Sequence, residues 1–209
     1  MKPWLIIPAK PFDEAKSRLA SVLSAPQRAT LSAHLLERTL RMAVAADCFA
    51  QLLVVSRDPA ALALAAQFAA LPLLETTADL NAALEQACRQ AAVLGGNAAL
   101  ILPADLPRLR MTDLHDLVAT FDDSKRVVIV PSGDGGTNAL LLPLPAPFAF
   151  AFGPDSYCVH CVRATDAGCA IQSVLTATLR FDLDSPRDWD MLTADASFSA
   201  AALLENLPF

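Results

Sequence analysis

Short apolar runs of strand length alternate with longer segments of helical period along this chain, the signature of an α/β domain built on a largely parallel sheet. The strand-length runs are Trp4–Ile7, Gln51–Val55, Leu71–Leu74, Ala98–Leu102, Val127–Val130 and Ala139–Leu142, and a closing strand is expected near Thr178–Phe181. Ser24 followed by Pro26 marks a helix start, and Leu31, Leu35, Leu36, Leu40 and Val44 then recur at helical spacing through Ala46. Further helices are expected over Pro59–Ala69, from a cap at Asp79 to Gly95, over Thr112–Phe121 and Ser156–Ala167, and onward from Ser185-Pro186.

With 209 residues, 54% of them hydrophobic, the chain suits one domain spanning 1–209 that buries a core without disulfides or a structural metal. The five cysteines are an odd set, which fits a reducing, cytoplasmic compartment. Cys158-Val-His-Cys161 lacks the second ligand pair of a zinc site, so buried helix cysteines are expected there. Charged residues interrupt the chain soon after Ile7, against a signal peptide, and no apolar stretch reaches the roughly 20 residues needed to span a membrane. A net charge of -6 argues against a nucleic-acid groove and favours a small ligand. The irregular Pro143–Phe152 stretch reads as a flap, a subunit contact in a homodimer, or a packed connecting loop.

Ligands of open α/β sheets sit beyond the carboxyl ends of the strands, which directs attention to the polar residues that follow each run. After the first run, Lys10, Lys16 and Arg18 fall in a loop that can hold a triphosphate, or that can form a solvated face paired with Asp13 and Glu14. Neither a P-loop nor a dinucleotide-binding glycine turn is present. After the fourth run, Asp105 stands between Pro103 and Pro107 at the sheet edge, well placed for a metal. In Phe181-Asp182-Leu183-Asp184 an extended backbone puts both carboxylates on one face, which suits Mg²⁺, although Asp184 can equally cap the helix at Ser185-Pro186. Ser132-Gly133-Asp134-Gly135-Gly136-Thr137-Asn138 offers close backbone approach to an anion, and a hairpin turn would account for only part of it. Phe152-Gly153-Pro154-Asp155-Ser156 opens a helix whose amino end favours a phosphate or carboxylate.

Taken in order, Ile7-Pro8-Ala9-Lys10 with Ala15-Lys16-Ser17-Arg18-Leu19, Leu80-Asn81-Ala82-Ala83-Leu84, Leu102-Pro103-Ala104-Asp105-Leu106-Pro107, Asp134-Gly135-Gly136-Thr137-Asn138, Phe152-Gly153-Pro154 with Ser156 and His160, and Asp182-Leu183-Asp184 resemble the 2-phospho-L-lactate or phosphoenolpyruvate guanylyltransferases. The resemblance covers nearly the whole chain. It implies a single-domain nucleotidyltransferase fold like that of molybdenum-cofactor guanylyltransferases, and transfer of GMP from GTP to a phosphorylated three-carbon acid in coenzyme F-420 synthesis. It also implies roles: Lys10, Lys16 and Arg18 on the triphosphate, Asn81 near the nucleoside, and Asp105, Asp182 and Asp184 on Mg²⁺. Gly136, Thr137, Gly153 and Ser156 fall to the acceptor acid. Asp155 stands where the family often has Gly, and reads as a helix cap or a residue turned to solvent. An acceptor phosphate is ionised near neutral pH, so His34, His115 and His160 need not act as bases, and at least two are expected to be structural. The rival readings are a nucleotidyltransferase for molybdopterin or a sugar phosphate, and a non-catalytic nucleotide-binding module.

Overall fold

A computed structural model describes residues 2–121 and 125–195. The chain runs β1 (Trp4–Pro8), α1 (Ala25–Ala46), β2 (Gln51–Ser56), α2 (Pro59–Gln67), β3 (Leu71–Leu74), α3 (Leu80–Val93), β4 (Ala98–Ile101) and α4 (Met111–Ala119). It continues through β5 (Arg126–Pro131), β6 (Thr137–Pro143), α5 (Ser156–Asp166), β7 (Ala170–Ser173) and α6 (Pro186–Thr193). The strands form one seven-stranded sheet in the order β3-β2-β1-β4-β6-β5-β7. Where a helix returns the chain to the same sheet edge the strands pair in parallel, as in β1 with β2 and β4. The tight β5–β6 turn cannot do this, so β6 runs antiparallel to both its neighbours. The carboxyl ends of β1, β2, β4 and β5 therefore open on one edge, and the 132–136 turn lies there with them.

Strands buried on both faces explain the unbroken apolar runs. In β1, Leu5 and Ile7 face a core built with Leu36 and Leu40 of α1, Ala61 and Ala65 of α2, and Leu114 and Leu117 of α4. Trp4 and Ile6 face the opposite side, against Leu84, Ala87 and Ala91 of α3 and Ala164 of α5. A third cluster joins Leu19 and Leu23 to Leu31 and Leu35 of α1 and to Leu183 and Leu192, with Phe181 and Trp189 packed against it. This cluster presses the 181–184 segment onto the loop after β1.

Ser24, Asp79 and Ser185 each accept a hydrogen bond from a backbone N–H in the first turn of the helix they precede, as expected, and Asp58, not singled out in the sequence, does the same for α2. The closing strand is a correction. Residues 177–180 form a turn, and the seventh strand is Ala170–Ser173, paired with β5 from Arg126↔Ala170 to Ile129↔Ser173. It is an edge strand held by backbone pairing, with Ala170, Ile171 and Ser173 exposed, so it carries no apolar alternation to read. Pro143–Phe152 is a packed connection: Leu144, Ala146, Phe148, Phe150 and Phe152 all join the second core. Cys158 is exposed and Cys161 half-buried, contrary to the expectation of buried helix cysteines, and both are free thiols. Among the described residues no helix is long and apolar enough to cross a membrane.

Candidate active site

The loop after β1 is tied down before it reaches the cleft. Ala9 N–H donates to the Val55 carbonyl at 3.0 Å, and Phe12 N–H donates to Asp58 Oδ2 at 2.8 Å. The loop then curls through Lys16 in the left-handed region, φ 54° and ψ 33°, which costs a residue with a side chain about 1–2 kcal/mol. The turn aims the Lys16 ammonium at two carboxylates from distant parts of the chain, Asp105 Oδ2 at 3.0 Å and Asp184 Oδ1 at 2.8 Å. The lysine side chain is only 8% exposed. Burial pulls its pKa down, but the two carboxylates outweigh burial and leave it above the ordinary lysine value.

The acids are positioned by the backbone. Leu102 N–H donates to Ile6 O at 3.0 Å at the end of β4, and Leu183 N–H donates to Asp105 O at 3.0 Å, which joins the two acidic segments directly. Asp182 takes a 3.4 Å hydrogen bond from Asn138 Nδ2, whose other bond, at 3.0 Å, goes to Leu179 O. Burial, then the neighbouring charges of Asp105 and Asp184, push the Asp182 carboxyl up to about 6. The 181–184 segment is not a strand, yet both carboxylates line the cleft while Leu183 is buried beneath them.

This cluster forms one wall of a cavity of about 720 Å³ at the carboxyl edge of the sheet. Lys10 and Arg18 also line it, both on exposed side chains. Toward β2 and β3 it is bounded by Arg57, which pairs with Glu14 and lies 3.7 Å from Glu75. Neither Arg57 nor Glu75 stood out in the sequence; their position after a strand was the only signal.

The opposite wall is built from the β5–β6 turn and the start of α5. Gly135 has φ 93°, and a side chain on Gly136 would meet Ser132 Oγ at 2.8 Å, so the doubled glycine answers to the turn's own geometry. The turn also satisfies itself, with Gly136 N–H on Asp134 Oδ1 at 3.2 Å and Ser132 N–H on Gly136 O at 3.0 Å. Two of the first N–H groups of α5 are likewise engaged, Ser156 with Gly153 O and Tyr157 with Gly135 O, each at 3.2 Å. Asp155, in the left-handed region, is exposed and makes no side-chain cap. What faces the cleft here is a pair of hydroxyls: Thr137 and Ser156 both line it, with Ser156 Oγ on Thr137 Oγ1 at 3.1 Å. Behind them His160 is fully buried, with Nδ1 3.0 Å from Thr137 Oγ1 and Nε2 accepting the Ala151 N–H at 3.1 Å.

A family model described as guanylyl transferase CofC like matches residues 3–196. The chain belongs to this guanylyltransferase family. It is 39% identical over 195 residues to a phosphoenolpyruvate guanylyltransferase of Rubrobacter xylanophilus, covering 93% of this chain and 95% of that one. A phosphoenolpyruvate guanylyltransferase of Roseiflexus castenholzii is 37% identical (98% and 94% covered), and a 3-phospho-D-glycerate guanylyltransferase of Colwellia psychrerythraea is 30% identical (92% and 91%). Among solved structures, a Desulfovibrio desulfuricans G20 protein assigned as a nucleotide-diphospho-sugar transferase superposes with a TM-score of 0.76 at 17% identity, covering 96% of this chain and 93% of that one. A nucleotidyl transferase of Methanothermobacter thermautotroptrophicus gives 0.64 at 14% identity (91% and 96%), so the fold of this guanylyltransferase is the nucleotidyltransferase fold.

Of the candidate site residues singled out in the sequence of this guanylyltransferase, Asn81 alone does not line the cavity. Its amide bridges α3 to the opposite wall, accepting Phe152 N–H at 2.7 Å and donating to Phe152 O at 3.2 Å. Loss of that clamp frees the strap that carries Gly153 and Ser156. Asn81→Ala is therefore expected to raise KM for the acceptor several-fold and leave KM for GTP nearly unchanged, read by steady-state kinetics with each substrate varied. A rise in KM for GTP alone would return Asn81 to the nucleoside.

His160 also makes stability depend on pH. Burial, with Arg163 nearby, depresses its pKa to about 4, below the value near 6.5 of an unfolded histidine. The unfolded chain thus binds the extra proton first, and this contribution is complete above pH 6.5 and lost as pH falls toward 4, by about 3 kcal/mol. Chemical denaturation of wild type and His160→Asn between pH 7 and 4.5 should show the steeper acid loss in wild type only.

Proposed function

We propose that this enzyme transfers GMP from GTP to a phosphorylated three-carbon acid, phosphoenolpyruvate or 2-phospho-L-lactate, releasing pyrophosphate in the synthesis of coenzyme F-420. The observation that carries the reading is one cleft with two unlike walls. A cation-and-carboxylate cluster on one side suits a nucleoside triphosphate with its metal, and a hydroxyl pair on the other suits a small anionic acid. The named activities of the relatives from Rubrobacter xylanophilus and Roseiflexus castenholzii support the acceptor class. A cytoplasmic location belongs to the same proposal.

Among the described residues no three His, Cys, Asp or Glu side chains close into a metal cage. Magnesium does not require one, because it keeps several waters and takes one or two carboxylates together with substrate phosphates. Asp105, Asp182 and Asp184 fit that demand, since Asp105 and Asp184 meet on the Lys16 ammonium and Asp182 lies near enough on the same wall to feel both of their charges. When bound, Mg²⁺ supplies Lewis-acid neutralisation of charge on the transferring phosphoryl group. Lys10 and Arg18 line the same space as exposed cations suited to the β- and γ-phosphates, while Lys16 is held by its ion pairs. Thr137 and Ser156 orient the acceptor so that its phosphate oxygen approaches the α-phosphorus in line with the departing pyrophosphate. His160 is occupied on both ring nitrogens and takes no proton, and an ionised phosphate needs no base.

Pyrophosphate release is measured with GTP, Mg²⁺ and phosphoenolpyruvate, 2-phospho-L-lactate or 3-phospho-D-glycerate, with molybdopterin and sugar 1-phosphates as controls. Turnover with phosphoenolpyruvate or 2-phospho-L-lactate is the expected result. Use of a control while every three-carbon acid fails would overturn the proposal. The Colwellia psychrerythraea relative supports 3-phospho-D-glycerate as the second reading.

A further inference from the structure

His160 lies one layer behind the cleft and touches only protein, yet both its nitrogens are committed. Ala151 N–H can only donate, so the Nε2 it meets at 3.1 Å must present a lone pair. In a neutral imidazole the proton then belongs to Nδ1, and Nδ1–H donates to Thr137 Oγ1 at 3.0 Å. That hydroxyl also accepts from Ser156 Oγ at 3.1 Å. A hydroxyl has two lone pairs and one proton, so with both lone pairs taken Thr137 has only its proton left to offer. If the two hydroxyls exchange roles, the count does not change: one proton joins them and one points outward. Thr137, Ser156 and His160 are 7%, 1% and 0% exposed, so solvent cannot readily scramble this order. The ring is further held by an edge contact with Phe152, centroids 4.8 Å apart.

We infer that His160 is a positioning residue that polarises the Thr137–Ser156 pair, so that the pair presents a hydrogen-bond donor to a carboxylate or phosphate oxygen of the acceptor. The inference rests on the acceptor reading of this wall. The protein recognises an anion here with a neutral donor whose direction is set from behind, through a chain that begins at the Ala151 backbone. The same N–H belongs to the strap that carries Gly153, so one imidazole ties strap geometry to hydroxyl polarity.

Two variants separate polarity from packing. Glutamine reaches about as far as Nε2 and keeps an acceptor for Ala151 while losing the donor to Thr137; asparagine places an N–H near Nδ1 and keeps that donor. His160→Gln is expected to raise the Kd and KM for phosphoenolpyruvate about tenfold with KM for GTP unchanged, and His160→Asn to recover most of that loss. Thr137→Val raises the same constants, and in Thr137→Val the further change His160→Gln adds little. In the wild-type enzyme, long-range proton–nitrogen NMR of the histidine ring should place the proton on Nδ1. A proton on Nε2, equal losses in the Gln and Asn variants, or full additivity with Thr137→Val would overturn the inference while leaving the acceptor wall in place. An unchanged acceptor KM in Thr137→Val would remove the acceptor reading itself, and the inference with it.

Discussion

Asp182→Asn should give a protein that melts higher than wild type in metal-free buffer and turns over at least about 100-fold more slowly. The two effects have one cause. Asp182 is half-buried beside Asp105 and Asp184, and partial burial together with their like charges disfavours its ionised form and raises its pKa. A neutral amide of the same shape can still accept from Asn138 and removes that cost, worth about 1–3 kcal/mol near neutral pH. It also removes an anionic oxygen from the place proposed for Mg²⁺. Asp105→Asn should lose turnover comparably without the gain in stability, because Asp105 is one of the two partners of Lys16. Thermal melts with and without EDTA, and pyrophosphate release at limiting Mg²⁺, test both variants. Near wild-type turnover in both would end the metal assignment.

Lys16→Ala should be damaging in the opposite sense. Its ammonium, 8% exposed, is the cation between Asp105 and Asp184, whose side chains are 30% and 44% exposed, so its removal leaves two like charges that water only partly screens, at about 1–3 kcal/mol. The variant should therefore melt well below wild type without metal, and Mg²⁺ should raise its melting temperature more than it raises that of wild type. KM for GTP should rise by about tenfold or more, with the acceptor constant less affected. An equal Mg²⁺ increment in both proteins would show that lysine and metal do not compete for the same carboxylates.

The central sheet was legible because a buried parallel strand must be apolar throughout, and Trp4–Ile7, Gln51–Val55 and Ala98–Leu102 advertise this in a few residues. Ala170–Ser173 is not legible because an exposed edge strand is defined by its partner, whereas the apolar Leu179 and Phe181 belong to a segment that packs without pairing. The acids at 105, 182 and 184 could be singled out by position, but their meeting with Lys16 could not. It depends on the third hydrophobic cluster, which brings residue 183 against residue 19. Asn81, Asn138 and His160 lie within or beside the sequence motifs. Their work is to hold other groups through hydrogen bonds to residues 41 to 71 positions away or to a neighbouring strap, and residue type alone does not disclose such partners.

The reversed strand β6 divides the molecule's inheritance. Everything proposed to grip the nucleotide lies before residue 106 or returns at 182–184, whereas everything proposed to grip the acceptor lies between 132 and 160, hung from the β5–β6 turn and the strap into α5. Apart from Asn138, which holds Asp182, substitutions can accumulate in that second stretch without disturbing the loop after β1 or its ion pairs. A lineage can thus exchange one small acid for another while its nucleotide chemistry stands still, as relatives named for phosphoenolpyruvate and for 3-phospho-D-glycerate would require of a common ancestor.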